Sequence, residues 1–438
     1  MIQTLVNTAG TESLRMEVRG PQIPSGVVQV SGAKNAATRL MAAAMLTDEP
    51  VVLLNFPTEL VDARYKAKFI EAMAGKVNFD AASSIAFLDC SKLLPTELED
   101  YSFPIRTTYL LAAGQLYRRG VAFVPYPGGC KLGDRKYDLH LMVWKSLGCH
   151  VEEKSNHIKV SGLLRGGEIH FPISTVGGTE NALLCASVSK GKSRIYNAYI
   201  TPEIENLIGL LTLMGAKICV QGISQIEVEG VDYLRGATIP VIPDRIEALT
   251  WLVFAAISGG DILVENVPFD IMKIPLLHLR QIGLDFFSNS TSIWVSSKAK
   301  ALPDLQPFEV ACGTYPGIIS DMQPLFVLLA LHARGRSTVI DYRYPNRTAY
   351  LKELSKFYPG CIKWEPGKIV VEGPNSPIGA TANSTDLRGS IALVLAGVLA
   401  NGESQIKRIE MALRGYNYLA EKFSAMRIDI SISQLLKK

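Results

Sequence analysis

The stretch PYPGGCKLGDR, Pro125 to Arg135, carries one cysteine beside paired glycines, with a lysine after it and an arginine five residues on. A thiol acts through its thiolate, and the charges of Lys131 and Arg135 favour that form. Pro127, Gly128 and Gly129 call for a turn, and Gly133 adds a further flexible point. Cys130 is thus a candidate reactive thiol, although on local composition alone a passive loop cysteine is the commoner outcome. Cys185 falls in an apolar helix and reads as an inert core thiol.

A second set of groups sits at the starts of apolar helices: Lys34 with Asn35, Arg106, Thr179 with Glu180, Asp244 with Arg245, Asp321, and Asp386 with Arg388. Asp, Asn and Thr at such positions satisfy the free N–H groups of a first turn, and Asp244 reads first as a cap. Basic groups there oppose the helix dipole, so Lys34, Arg106 and Arg388 are badly placed for stability alone. A bound anion accounts for them.

The elements that must position these groups form a long repeat. An apolar helix, a Gly turn, a short strand, a second helix and a hairpin recur six times with a period of roughly seventy residues, longer than solenoid repeats. The apolar helices are predicted over Ala36 to Leu46, Thr107 to Tyr117, Asn181 to Ser189, Ile246 to Ser258, Met322 to His332 and Gly389 to Ala400. Strands follow at Val51, Val121, Ser193, Asp261, Ser337 and Ser404. The phrases LMGAK at Leu213 and QIGLD at Gln281 stop second helices at glycine, and KICVQGISQIEVEG from Lys217 reads as a hairpin. Helices apolar nearly all round belong inside a layer of strands. The expected fold is α/β, a two-domain inside-out α/β barrel made from six βαβαββ-type repeats.

The 438 residues are too many for one core, and their formal net charge of +4 comes without a Lys/Arg block. Neither a nucleic-acid nor a membrane partner is expected, because the apolar tracts fall short of the ~20 residues a span needs. Seven cysteines without a CxxC pair and six scattered histidines fit a reducing, cytoplasmic setting with no metal and no disulfide framework. Met1 to Gly10 lacks the basic start and apolar run of a secretory signal.

Motifs in matching order along almost the whole chain then carry a resemblance. They are VSGAKNAATRLMAAAML from Val30, PGGCKLGDRKYDLH from Pro127, TPEIENLIGLLTLMGAK from Thr201, PDRIEALTWLVFAAISGG from Pro243, SDMQPLF from Ser320, NRTAYLKEL from Asn346, TDLRGSIALVLAG from Thr385 and RGYNYLAEKF from Arg414. The chain resembles the UDP-N-acetylglucosamine enolpyruvyl transferases of the EPSP synthase superfamily. EPSP synthase itself shares the architecture but lacks a cysteine-bearing loop of this type.

The resemblance implies transfer of the enolpyruvyl group of phosphoenolpyruvate to the sugar 3-hydroxyl, with phosphate expelled from a tetrahedral adduct. It makes Asp321 the general base and Cys130 the proton donor and fosfomycin target. Lys34, Arg106, Arg135 and Arg414 become the phosphoenolpyruvate-binding cations, with Arg347 and Arg388 holding the reacting groups. Asn35, Asp138, Leu139 and Thr175, Val176 and Gly177 correspond to acceptor-binding positions, and Asp386 to a residue ordering the arginines. Domains of 34–242 and of 1–33 plus 243–438 follow, with the active site in the cleft between them. Phosphoenolpyruvate and a uridine nucleotide are the implied small-molecule partners, with no cofactor and no obligate protein partner.

The chain departs from the family pattern mainly near the acceptor. Thr38-Arg39 stands where Leu-Pro is usual, Lys136-Tyr137 replaces Pro and a small aliphatic, and Ile173 takes the place of a diphosphate-contacting lysine. Tyr344-Pro345 replaces Phe-Glu, and Leu413 an acid. Transfer to another nucleotide, such as UMP in nucleoside-antibiotic biosynthesis, is therefore a second reading. A non-catalytic repeat scaffold is a third, disfavoured because no basic inner face is visible.

Overall fold

The computed structural model describes residues 14–128, 137–296 and 304–434, so Cys130 and Arg135 lie outside the described residues. The chain divides into two compact units. One holds residues 32–128 and 137–242; the other holds residues 14–31, 243–296 and 304–434.

In the first unit three central helices, α1 (Lys34–Ala44), α2 (Ala112–Arg119) and α3 (Val176–Ser187), fill the interior. Three sheets pack on them. The third repeat shows the plan: strand Glu168–Thr175, α3, strand Lys192–Ala198, outer helix Pro202–Leu213, then the hairpin Lys217–Gln221 and Gln225–Glu229. Lys192–Ala198 pairs parallel with the first strand and antiparallel with the last, a mixed sheet. Ile195, Ile226 and Val228 point into the core, while Lys192, Arg194 and Glu229 alternate outward. Period-two patterning thus gives each sheet one wet face. Gly215 ends the outer helix at φ +104 with open space where a Cβ would sit, so its need for glycine is conformational and not steric.

The second unit repeats the plan around α4 (Arg245–Ser258), α5 (Gln323–Ala330) and α6 (Leu387–Leu399), with three four-stranded sheets. Its last sheet is completed by the chain ends: Leu14–Gly20 lies between Gly402–Lys407 and Ser431–Gln434. Ser25–Gln29, which precedes α1 in sequence, pairs parallel with Asp261–Glu265 in this unit. Thr238–Pro240, which precedes α4, pairs parallel with Val51–Leu54 in the first unit. Each opening helix therefore takes its parallel edge strand from the other half of the chain.

The structure shifts two predicted helices. The third starts at Val176, five residues earlier than its apolar run, and is capped by Thr175, whose Oγ1 accepts from Gly178 N at 3.3 Å. Thr179 and Glu180 are consequently inside the helix and fully buried. The hydrophobic run missed this start because two glycines occupy its first turn. In the second repeat Thr107–Leu111 forms a 3₁₀ turn before α2, and among the described residues its sheet has three strands. No helix among the described residues is long and apolar enough to cross a membrane.

Candidate active site

In the first unit, the predicted residues gather at the starts of helices. Lys34 opens α1 with no acidic residue in the first turn, and its Nζ lies 2.9 Å from Asp62 Oδ2 on the outer helix Val61–Ala72. Asn35 follows it, partly buried. Arg106 directly precedes the 3₁₀ turn that carries Tyr109, and Tyr109 stacks on His140 with ring centroids 3.5 Å apart. Asp138, exposed, and Leu139, partly buried, open the helix Asp138–Ser146 that holds His140. Thr175, Val176 and Gly177 form the start of α3 against this stack. A Cβ on Gly177 would come within 2.6 Å of Tyr109 Oη and 3.1 Å of His140 Cε1. The acceptor-site candidates 138–139 and 175–177 are thus joined by one aromatic pair that sequence reasoning did not single out.

Behind them lies a buried ionic network. Arg39 Nε donates to Glu180 Oε1 at 2.6 Å and its second nitrogen to Thr38 Oγ1 at 2.9 Å. Lys66, fully buried, donates to the carbonyls of Thr38 and Thr107 at 2.9 and 3.3 Å. Burial brings the Lys66 ammonium down to about 7, with the Arg39 charge adding to the effect. Glu180 Oε2 has no partner among the described residues. The Thr38-Arg39 departure is therefore matched by groups from two other helices.

Burial and the Arg106 charge take His140 down to about 3. Its unfolded value is ~6.5, so as pH falls from there the unfolded chain takes up a proton that the folded chain refuses. Stability is lost over that window, with a slope of up to about 1.4 kcal/mol per pH unit. Urea titrations at pH 7 and pH 5 should show the loss, and His140→Phe, which keeps a ring against Tyr109, should reduce it. An unchanged pH dependence in the variant would remove His140 as its source.

The second unit gathers the remaining candidates around α6. Asp386 caps that helix, its Oδ1 accepting from Arg388 N and Gly389 N, each at 3.1 Å, and from an Arg347 guanidinium nitrogen at 2.7 Å. Arg347, 2 % exposed, also donates to Asp321 Oδ1 at 2.7 Å and to the Ser320 carbonyl at 2.8 Å. Burial works against its charge, but Asp386 and Asp321 more than offset this and hold the guanidinium above its usual range. Arg388 Nε lies 3.8 Å from Asp321 Oδ2. Asp321 stands in a short turn, Ser320–Met322, with its side chain a quarter exposed while both arginines beside it are buried. Arg414, buried, ends the short helix Glu410–Leu413 and immediately precedes Gly415, whose carbonyl accepts from Arg388 at 3.5 Å.

Asp341 fixes this geometry from below. It accepts from the Ser320 hydroxyl at 2.9 Å, from Gln323 at 3.2 Å and from the backbone N–H groups of Arg343 and Tyr344 at 3.0 and 2.8 Å. One carboxylate thereby ties the turn bearing Asp321 to the turn leading into Arg347. Its position at the end of a strand, in IDYRYPNR, is the only sequence signal it leaves. Of the described cysteines, Cys90 and Cys149 are pushed up by burial, to about 12 and about 11, which makes them poor thiolates. Among the described residues no group of His, Cys, Asp and Glu could hold a metal ion.

The model of the EPSP synthase (3-phosphoshikimate 1-carboxyvinyltransferase) family matches residues 18–423. A UDP-N-acetylglucosamine 1-carboxyvinyltransferase of Novosphingobium aromaticivorans is 36% identical over 422 residues, covering 94% of this chain and 97% of its own. The UDP-N-acetylglucosamine 1-carboxyvinyltransferase 2 of Listeria monocytogenes is 35% identical, covering 96% of this chain and 98% of its own. Among solved structures, the enolpyruvyl transferase NikO of Streptomyces tendae superimposes with a TM-score of 0.86 over 97% of this chain and 100% of its own, at 21% identity. An EPSP synthase of Acinetobacter baumannii does so with a TM-score of 0.74 over 96% of this chain and 100% of its own, at 16% identity. The inside-out α/β repeat architecture is that of these enzymes, and the chain belongs to the EPSP synthase family and, within it, to that of the UDP-N-acetylglucosamine 1-carboxyvinyltransferases.

Proposed function

We propose that this chain transfers the enolpyruvyl group of phosphoenolpyruvate to the 3-hydroxyl of UDP-N-acetylglucosamine and releases phosphate, the first committed step of peptidoglycan synthesis, in the cytoplasm. The observation that carries the reading is full-length similarity, at 35–36% identity, to relatives named for that acceptor. The charge arrangement around Asp321 supports it.

The sugar hydroxyl oxygen adds to C2 of phosphoenolpyruvate, losing its proton to a base while C3 gains one. The adduct then expels phosphate as C3 gives up a proton, restoring the double bond. Asp321 has the reach for the base, being more exposed than the arginines that orient it. Arg347 and Arg388 hold that carboxylate in place. Lys34, Arg106, Arg135 and Arg414 take the carboxylate and phosphate, for which cations with several donors suit best. Cys130 is the proposed acid to C3. Asn35, Asp138, Leu139 and Thr175 to Gly177 take the acceptor, with 34–242 as one domain and 1–33 plus 243–438 as the other.

Purified protein with phosphoenolpyruvate and either UDP-N-acetylglucosamine or UMP, followed by phosphate release, tests the reading. Turnover with the sugar nucleotide is expected, and turnover with UMP alone would overturn the acceptor.

A further inference from the structure

In sequence Asp244 reads as an ordinary helix cap, and one of its oxygens serves as one. Oδ1 accepts from Ile246 N at 2.8 Å and Glu247 N at 3.2 Å at the start of α4. Oδ2 faces a different helix, 3.4 Å from a terminal nitrogen of Arg388 on α6. The Arg388 guanidinium is 1 % exposed and lies over the Tyr416 ring at 5.2 Å. Its Nε faces Asp321, and Nε makes no hydrogen bond among the described residues.

Arg388 is thus shared by two carboxylates, and its better contact is the one with Asp244. Arg347 is shared in the same way between Asp321 and Asp386, both at 2.7 Å. Two arginines from two elements thus face Asp321, each drawn back by a second carboxylate. Asp341 acts one shell away through Ser320, Tyr416 through Arg388, and Arg245, beside Asp244, packs over the Tyr315 ring.

A carboxylate gripped by two unshared guanidiniums is a poor proton acceptor, because each nearby positive charge favours its ionised form. We propose that Asp244 is a positioning residue for the transfer reaction: it holds Arg388 at a distance from Asp321 and so keeps the Asp321 carboxylate basic enough to take the hydroxyl proton. This role rests on the assignment of Asp321 as the base.

The test is Asp244→Asn in the full chain. Asparagine caps a helix about as well as aspartate, and Arg388 keeps Asp321 as a counter-charge, so the variant should still fold cooperatively, with thermal stability lowered by loss of the buried pair. The charge that draws Arg388 away is gone, so Arg388 falls on Asp321 alone. The kcat for phosphate release should drop about tenfold and the acidic limb of its pH profile should move down by about one unit, while KM for both substrates stays within about threefold. Asp244→Ser, another capping residue without charge, should behave the same way and serves where asparagine does not fold.

A variant with unchanged kcat and an unmoved acidic limb would overturn the role. So would a loss confined to KM for phosphoenolpyruvate, which would place Asp244 behind substrate binding. Absence of turnover in the unsubstituted protein would overturn the proposed reaction and this role with it. A failure of the Asp244 variants alone leaves the reaction standing.

Discussion

Asp321→Asn is expected to lower kcat for phosphate release on the order of 10² to 10⁴-fold, the usual contribution of a positioned acid or base. The amide keeps an oxygen for the Arg347 nitrogen now 2.7 Å from Oδ1, so the turn at Ser320–Met322 should persist and KM should change little. What it cannot do is take a proton. The same change at Asp386 keeps a capping oxygen for α6 but removes a charge from the buried face of Arg347, so its effect should fall on stability as well as on rate. Full kcat in the Asp321→Asn protein, with a folded unfolding transition, would remove Asp321 as base.

Glu180→Ala should be the most damaging of the changes behind the first unit's site, costing about 3–5 kcal/mol of stability by leaving the Arg39 charge buried without its partner. Glu180 is fully buried in α3 and Arg39 nearly so in α1, so water cannot take the carboxylate's place. Burial pushes the Glu180 carboxyl up against the pull of Arg39, a sign of how much desolvation the pair carries. The loss should also lower the Lys66 ammonium further, since Glu180 is among the charges that support it. Replacing both partners by apolar residues, Arg39→Met with Glu180→Leu, should restore at least half the loss, because a well-packed apolar pair avoids the desolvation cost. Urea unfolding of the single and double variants decides it. If Glu180→Ala were as stable as the parent, the pair would hold nothing together.

Much of the fold was legible because its signals are local. The central helices are apolar nearly all round, and a strand signal follows each, so six copies of one unit could be counted along the chain. The start of α3 was hidden because Val176, Gly177 and Gly178 carry no apolar period, and only Thr175 capping Gly178 N shows where it begins. Tyr109 and His140 are thirty-one residues apart by number and gave no sign of stacking. Asp244 looked complete as a cap, which left its second oxygen unaccounted for.

The sequence by itself determined the repeat, the residue types at the helix starts and the family whose motifs they match, since each is written in order along one chain. Only the tertiary structure decided which charges meet. Asp244, Asp321, Arg347, Asp386 and Arg388 span 144 residues between the first and last of them, and come together because α4, α5 and α6 pack side by side at their N-terminal ends. Burial then sets how strongly each charge acts on the next, for in a low-dielectric interior a contact of a few ångström counts that in water would not. That dependence on distance and desolvation is absent from the order of residues, and it is what gives Asp321 its two arginines and each arginine its second carboxylate.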